Sequence, residues 1–413
     1  MNVEKTNVVD QSQQPLMRNR KFLYLWLASM VSSMTVSMYL LAEEWYVVQA
    51  LDLRASLGIV MMVTSIPRVL FMALGGVVAD RMSRSRIMFV SEFSRGLLIA
   101  AMIGLLVIGN LDIVWLTLFA LFFGVLDAFF WPASQSLLPS IVSKDQLMRA
   151  NSVMQTTQQV SFLLGPVISG FVIANLSYEG VFGLCAILLL TGSLFVIKVK
   201  DQPEQSDEQG ESIWIEMMGG FHYVKQTSYL MILLFAAAIV NFLFSGPIML
   251  GIPLMVKEML HQGAVELSFL QSSFAGGALL GSVMIGVINF RRKRGLLVVG
   301  ALCTFGIWLG LLSQVSQLWQ GILLLLVSGI CSSMTNLPLI SLVQENSDPA
   351  KIGRVMSLIS MTSMGLLPLS FGFYSLILSL HIPLTIIWLY SGLLLLAVSG
   401  FFFLKSKPVR ILD

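Results

Sequence analysis

The sequence predicts an all-α polytopic membrane protein: twelve transmembrane helices in two bundles of six. Three observations lead there. Of 413 residues, 56% are hydrophobic and only 11% are charged, with a mean hydropathy of +0.84, too apolar for a soluble chain of this length. Apolar runs of about 20 residues, the length that crosses a hydrocarbon core of about 30 Å, recur along the whole chain. One long polar interval, KVKDQPEQSDEQGES at 198–212, divides those runs six and six. Runs such as ILLLLVSGI and SGLLLLAVSGFFFL do not alternate, which excludes barrel strands and leaves helices, the form that satisfies its own backbone in lipid.

Taken in order, the first 21 residues are polar, and the first span, 22–49, is longer than a signal-peptide apolar region and lacks a small-residue cleavage pattern, so helix 1 is expected to be retained. Helices 2 to 6 follow at 56–79, 87–108, 114–139, 150–174 and 179–198. The second set falls at 228–256, 265–289, 295–313, 319–344, 354–379 and 383–404, each boundary good to about four residues. The expected organisation is an N-terminal six-helix bundle over 1–198, a flexible cytoplasmic linker over 199–227 and a C-terminal six-helix bundle over 228–413.

The halves resemble each other. WPASQSLLPSIVSKDQLMRANSV at 131–153 and NLPLISLVQENSDPAKIGRVMSL at 336–358 share an early proline, a polar turn and an arginine opening the next helix, about 205 residues apart. LLGPVISG at 163–170 is echoed by LLPLSFG at 366–372, and GVVADRMSR by GVINFRRKR, with Phe290 at the acidic position. A parallel repeat of six spans is an architecture of secondary transporters, in which two bundles rock about a site at the midplane.

Orientation follows from the basic residues. The N-terminus, the loops after even-numbered helices and the C-terminus together hold 21 of the 25 Lys and Arg; the opposite loops hold only Arg54 and Lys257, and Arg68 and Arg95 lie inside spans. Both termini are therefore expected in the cytoplasm, in a multi-pass protein of the cell's inner (cytoplasmic) membrane. Cys185, Cys303 and Cys331 lie in spans without paired spacing, so neither a disulfide framework nor a metal site is expected. No GxxxxGK[ST] phosphate loop is present, so ATP is not the expected direct energy source. No cofactor, no nucleic acid and no enzymatic reaction are expected, and the chain is expected to act as a monomer.

Two short stretches carry a resemblance. GVVADRMSR at 76–84 resembles the GxxxDRxGR loop signature of the major facilitator superfamily, matching at Gly76, Asp80, Arg81 and Arg84, with Ser83 where the family usually has glycine. SFLLGPVISG at 161–170 is similar to the GxxxGPxxGG signature of helix 5 in its antiporter branches, keeping Gly165, Pro166 and Gly170. EEWYVVQALDLRASLGIVMMVTSIP and DAFFWPASQSLLPSIVSKDQLMRANS look like the macrolide-efflux and enterobactin-exporter branch. The resemblance implies export of amphipathic drugs or siderophores driven by protons. It also implies that Gly76, Asp80, Arg81 and Arg84 form a latch between the bundles on the cytoplasmic side, with the start of helix 11 around Lys351–Arg354 as counterpart. The bland alternative is a loop that only sets topology. The chain departs from many drug exporters of the superfamily in having no Lys or Arg between Arg95 and Lys144, where they carry a helix 4 arginine, and Arg68 is the expected substitute.

Small residues recur every four positions at Ser161, Gly165 and Ser169 on helix 5 and at Gly277 and Gly281 on helix 8, with a kink from Pro166 and a further glycine at Gly170. This small-xxx-small pattern is expected to let helices 5 and 8 slide past each other between the bundles, static packing being the alternative.

Ionisable residues at membrane depth cost roughly 2.5 to 3.5 kcal/mol each on insertion scales, so each asks for a partner or a role. Glu43, Glu44, Arg68, Glu92, Arg95 and Asp127 are all in the first half. Glu92 and Arg95, one turn apart near the cytoplasmic end of helix 3, are expected to pair with each other or to reach interfacial water. Arg68 and Asp127 each lie about 12 residues from a membrane face, about 18 Å deep at 1.5 Å per residue, and are expected to pair between helices 2 and 4. Glu43 and Glu44 stand about 100° apart on helix 1, on stripes polar enough to face a cavity, or near external water as vestibule charges. A carboxyl group in low dielectric can exchange a proton between the two sides, so Asp127, Glu44, Glu43 and Arg68 are the proton-coupling candidates. Tyr39, Trp45, Phe129, Phe130 and Trp131, with some of the 24 methionines, are the candidate cavity lining for a varied amphipathic substrate, unless they face lipid or other helices. A membrane sensor or chaperone of the same fold is the alternative from another class.

Overall fold

The computed structural model describes residues 15–199, 231, 235, 238–288, 294–346 and 352–405. The linker expected at 199–227 lies almost wholly outside them, as do the side chains of 72–81 and 352–363. The described residues are helical through the expected spans except for one or two residues at some span ends. We number the helices α1 (Arg20–Trp45), α2 (Ser56–Arg81), α3 (Arg84–Val107) and α4 (Ile113–Ile141). A continuous stretch, Lys144–Val196, turns back at Ser177 (φ 57°, ψ −167°) and so makes α5 (144–176) and α6 (178–196). Then come α7 (Gly246–Leu254, with a π-helical turn at each end), α8 (Ala264–Ile288), α9 (Arg294–Leu312), α10 (Leu318–Asn346), α11 (Ile352–Ser379) and α12 (Leu384–Lys405). Among the described residues seven helical stretches are long and apolar enough to cross a membrane, and four shorter apolar helices accompany them.

Local chemistry sets the helix ends. Asn19 caps α1, its side chain accepting from the backbone N–H of Lys21 and Phe22, while its amide donates to the Ile141 carbonyl at 2.7 Å and ties α1 to the end of α4. Asp112 caps α4 by accepting from Val114 and Trp115 N–H, both at 3.0 Å. Ser83 caps α3, so the α2–α3 turn is only two residues long and both helices reach closer to each other than their apolar runs suggest.

The repeat is built into the packing. α1 and α7 are the most enclosed helices, each 67% buried over its apolar window against 22–44% for the other long ones. α1 ends in the π-helical turn Tyr46–Ala50 and α7 in Met255–Met259, followed by left-handed residues at Asp52 and His261. α2 packs on α4 as α8 packs on α10, and a Cβ added at Gly124 would sit 2.1 Å from the Thr64 carbonyl, as one at Gly329 would from that of Phe274. Gly165 of α5 meets Ser37 of α1, and in the second half the partners are exchanged: Gly246 of α7 meets Ser370 of α11, a Cβ falling 1.8 Å from the serine Oγ in each case. Lipid tails are as apolar as the helices, so this close backbone approach, and the dispersion it allows, holds the bundles together. Between the halves, α5 lies on α8 and α2 on α11.

Candidate functional site

The deepest charges form one cluster. Asp127 on α4 receives Arg95 Nη1 from α3 at 2.6 Å on Oδ1 and lies 3.2 Å from Arg68 Nε of α2 through Oδ2. Arg95 is fully buried, its second Nη donating to Ser32 Oγ of α1 at 3.0 Å and its Nε to the Ser91 carbonyl at 3.4 Å. The guanidinium carbon also lies over the α4 rings of Phe123 and Phe130, 5.5 and 5.3 Å from their centroids. A carboxylate between two guanidinium groups has its charge compensated and its lone pairs used, the condition under which buried ions are tolerated.

Glu43 and Glu44 are both buried. Tyr39 donates to Glu43 Oε1 at 2.8 Å, within the first half. Glu44 faces the other half, where Gln271 of α8 donates to its Oε2 at 2.8 Å. That bond belongs to a closed end of the molecule. There Lys257, beside the α7–α8 turn, ion-pairs with Asp52 and donates to the Val48 carbonyl at 2.5 Å. Arg54 reaches Glu258 at 3.4 Å and the Ile382 carbonyl at 3.1 Å, and Ser375 donates to the Ala55 carbonyl. Every one of these contacts joins the first half to the second. Asp52 is exposed, and the hydrogen bond and charge of Lys257 hold its carboxyl below the usual carboxylate range. At the opposite end α5 and α8 part around a cavity of about 360 Å³ lined by Gln155, Gln158, Gln159 and Phe162 of α5, Ala278 of α8 and Ser333 of α10, among others.

Several expectations are corrected here. Glu92 does not pair with Arg95; the arginine turns to Asp127, and neither Glu92 oxygen accepts a hydrogen bond. The reason is depth, since α3 begins at Arg84 and Arg95 is carried in to the level of Asp127. The stripe Ser161, Gly165, Ser169 faces α1, with Ser37 donating to the Ser161 carbonyl and Ser169 to that of Met38, and Gly277 and Gly281 face α10. These small residues close helix pairs within each half, and of the set only Gly170 meets α8, a Cβ there falling 2.6 Å from the Ala264 carbonyl. Pro166 is buried beside them. Tyr39, stacked at 4.1 Å on Phe123, is buried in the first half's interior; Trp45 and Phe130 are also buried, and Phe129 and Trp131 are half-buried. The Arg68–Asp127 pair is present. Gly76, Asp80 and Arg81 fall in the last turns of α2, but their side chains, with the counterpart at 351–354, lie outside the described residues; Arg84 opens α3 and is half-buried. What sequence reasoning missed is Arg95 as a partner of Asp127, the glutamine-lined cavity, and the role of Arg54 and Lys257. The last had a signal: they are the only basic residues on their side of the predicted topology.

A family model, the Major Facilitator Superfamily, matches residues 25–370. Macrolide efflux protein A of Streptococcus pyogenes is 24% identical over 347 residues, covering 82% of this chain and 84% of that one. Enterobactin exporter EntS of Shigella flexneri is 24% identical over 294 residues, 69% of this chain and 67% of that one. In fold, the chain is similar to the crystal structure of nucleoside transporter NupG, with a TM-score of 0.75 at 14% identity over 94% of this chain and 99% of that one. It is also similar to a bacterial homologue of the iron transporter ferroportin in an inward-facing state, with a TM-score of 0.69 at 17% identity over 94% and 99%. With two similarly packed halves and a family model matched across most of its length, the chain belongs to the Major Facilitator Superfamily and is a multi-pass membrane transporter.

Proposed function

We propose that this transporter is a proton-driven exporter of amphipathic small molecules in the cytoplasmic membrane, with both termini cytoplasmic. The observation that carries this reading is the contrast between the ends among the described residues. One is closed by contacts that all cross between the halves, and the other opens into a cavity between them. By the basic-residue count the open end is cytoplasmic, which makes this the state that loads from inside. The names of the efflux relatives support export as the direction of transport. Among the described residues the cavity lining combines amide groups with apolar and aromatic surface and includes no charged side chain, a chemistry suited to amphiphiles whose polar part is uncharged.

For coupling, Glu44 is the first choice among the embedded carboxylates, ahead of Glu43. Its hydrogen bond to Gln271 crosses the boundary that must open, so a change in its charge alters the closed end directly. Asp127 and Arg68 belong to a compensated cluster and serve best as its fixed part. The experiment is proton release from the purified transporter on addition of tetraphenylphosphonium, erythromycin or enterobactin, as cationic, macrolide and anionic probes. Release with one or more probes, lost in Glu44→Gln, supports antiport; no release with any probe sinks it. A cysteine at Gln262 should react with an impermeant thiol reagent in intact cells, and protection there would reverse the orientation.

A further inference from the structure

Glu92 has no place in the mechanism so far, and its surroundings are unusual. It is fully buried on α3, and neither carboxyl oxygen accepts a hydrogen bond. From α6, Gly192 leaves the space it occupies: a Cβ there would lie 3.2 Å from Oε1 and 3.3 Å from Oε2. On α1, Val31 borders the same space and Ser32, whose hydroxyl accepts from Arg95, lies beside the carboxyl. The charged groups facing this region are Arg95 on the same helix, Asp127 on α4 and, behind it, Arg68 on α2. A buried carboxylate whose oxygens have no well-formed hydrogen bond is costlier than a neutral acid in the same place, so this geometry favours the protonated form over the charged one.

We propose that Glu92 is a proton-binding site of the transporter and that Arg95 is the switch that reads its state. Arg95 and Glu92 are one helical turn apart, within reach of each other by a change of side-chain rotamer. When the Glu92 O–H bond breaks and the proton leaves to water, the new carboxylate takes Arg95, which keeps all its own protons throughout. Asp127 gives up its bond to Arg95 and retains Arg68. The four groups pass from one net positive charge to none, and reprotonation reverses each step.

The switch has a route to the rest of the fold. In the described state Arg95 lies against α4, on Asp127, Phe123 and Phe130, and Ser91 next to it donates to the Leu126 carbonyl at 2.7 Å. Transfer to Glu92 moves that cation towards α1 and α6. α4 is closed on α2 at Gly124, and α2 on α11 at Gly58, where a Cβ would be 2.5 Å from the Phe371 carbonyl, so a shift of α4 is passed across the boundary between the halves. This inference deepens the antiport reading and rests on it only for what the proton drives.

The test uses the purified full chain without substrate. Potentiometric titration should find one proton fewer bound per protein in Glu92→Gln than in wild type. Difference infrared spectra between acid and alkaline pH should lose a protonated-carboxyl band in that variant, with the accompanying guanidinium change. Glu92→Asp should keep both signals at a displaced midpoint. If Glu92→Gln does not fold, Gly192→Ala serves instead: crowding the carboxyl should displace the midpoint of the band. Identical titration and spectra in Glu92→Gln, or an unmoved midpoint in Gly192→Ala, would overturn the proposal. Failure of the antiport reading looks different, as absence of substrate-induced proton release with these signals intact.

Discussion

The two halves share a scaffold and differ in what they bury. Aligned through the equivalent π-helical turns, the starts of α3 and α9 at Arg84 and Arg294, and the repeated stretches 131–153 and 336–358, Glu43 and Glu44 correspond to Ile252 and Pro253. Arg68 likewise corresponds to Ala278, Arg95 to Phe305 and Asp127 to Ser332. Gly124 and Gly329 are kept in register and Gly165 and Gly246 exchange sides across equivalent helix pairs, while every deep charge has an uncharged counterpart. Arg95 and Phe305 make the point best, since both are buried, one holding a carboxylate and the other packed at a tilt on Phe244 with ring centroids 4.1 Å apart. Equivalent packing can thus be obtained with or without ions. The ions of the first half are therefore not required by the packing of that position as such.

The largest effect should come from breaking that difference on one side only. Arg95→Ala removes a fully buried partner and leaves Asp127 with Arg68 alone, and loss of one member of a buried ionic group costs about 3 to 5 kcal/mol. Membrane abundance and thermal stability of the purified protein should fall sharply. Writing the second half's residues into the first, as Arg68→Ala, Arg95→Phe and Asp127→Ser together, should recover most of that stability, because no unpaired ion remains. Gradient-driven transport should not return. If the triple variant still pumps, the cluster is structural and the contrast between the halves carries no functional meaning.

The shared scaffold makes a complementary prediction of intermediate size. Gly124→Ala and Gly329→Ala each bring a Cβ to 2.1 Å from a helical carbonyl that cannot rotate away, and should destabilise alike, by about 1 to 3 kcal/mol. Gly165→Ala meets the Ser37 Oγ instead, which can turn aside, and should cost less. Thermal stability of the three variants in detergent checks the ranking. Unequal losses at Gly124 and Gly329 would mean that the halves are less alike in packing than their geometry implies.

Most of the fold was legible in the sequence because lipid imposes simple rules: apolar length gives the helices, and the repeat gives their pairing. The site was less legible. Arg68 and Asp127 could be matched because both depths were counted from span ends that the structure moves little. Arg95 was misassigned because its helix starts three residues earlier than the apolar run, at a Ser83 cap that hydropathy does not register. The direction of a small-residue stripe was unreadable for a related reason. Ser161, Gly165 and Ser169 demand a close neighbour, but nothing in their spacing says whether it is α1 or α8. Glutamines 155, 158 and 159 escaped notice because, being uncharged, they interrupt no apolar count.

The smallest expected effect concerns the closed end, where the halves meet through ions near the surface, Asp52 exposed and Lys257, Arg54 and Glu258 half-buried. Surface pairs contribute little to stability, so Lys257→Ala should leave folding nearly unchanged. Its consequence is a shift between states, because Lys257 bonds Asp52 and the Val48 carbonyl of the first half only while that end is closed. Asp52 has its carboxyl held below the usual range in the closed state, and an ordinary one is expected once the halves separate. The sign follows: above the ordinary carboxylate range the bridge favours closure in full. As pH falls through the ordinary value that advantage begins to fade, and it is gone once pH has passed below the lowered one. A cysteine at Gln262 in otherwise wild-type protein should therefore react faster with an impermeant thiol reagent as pH is lowered across that window, after correction for the reagent's own pH dependence. In Asp52→Asn the rate should start higher and lose this pH dependence, while the Arg54–Glu258 contact keeps the end mostly closed. Unchanged labelling in both Asp52→Asn and Lys257→Ala would assign closure to the buried contacts of α2 with α11 and α5 with α8, leaving these ions without a part in it.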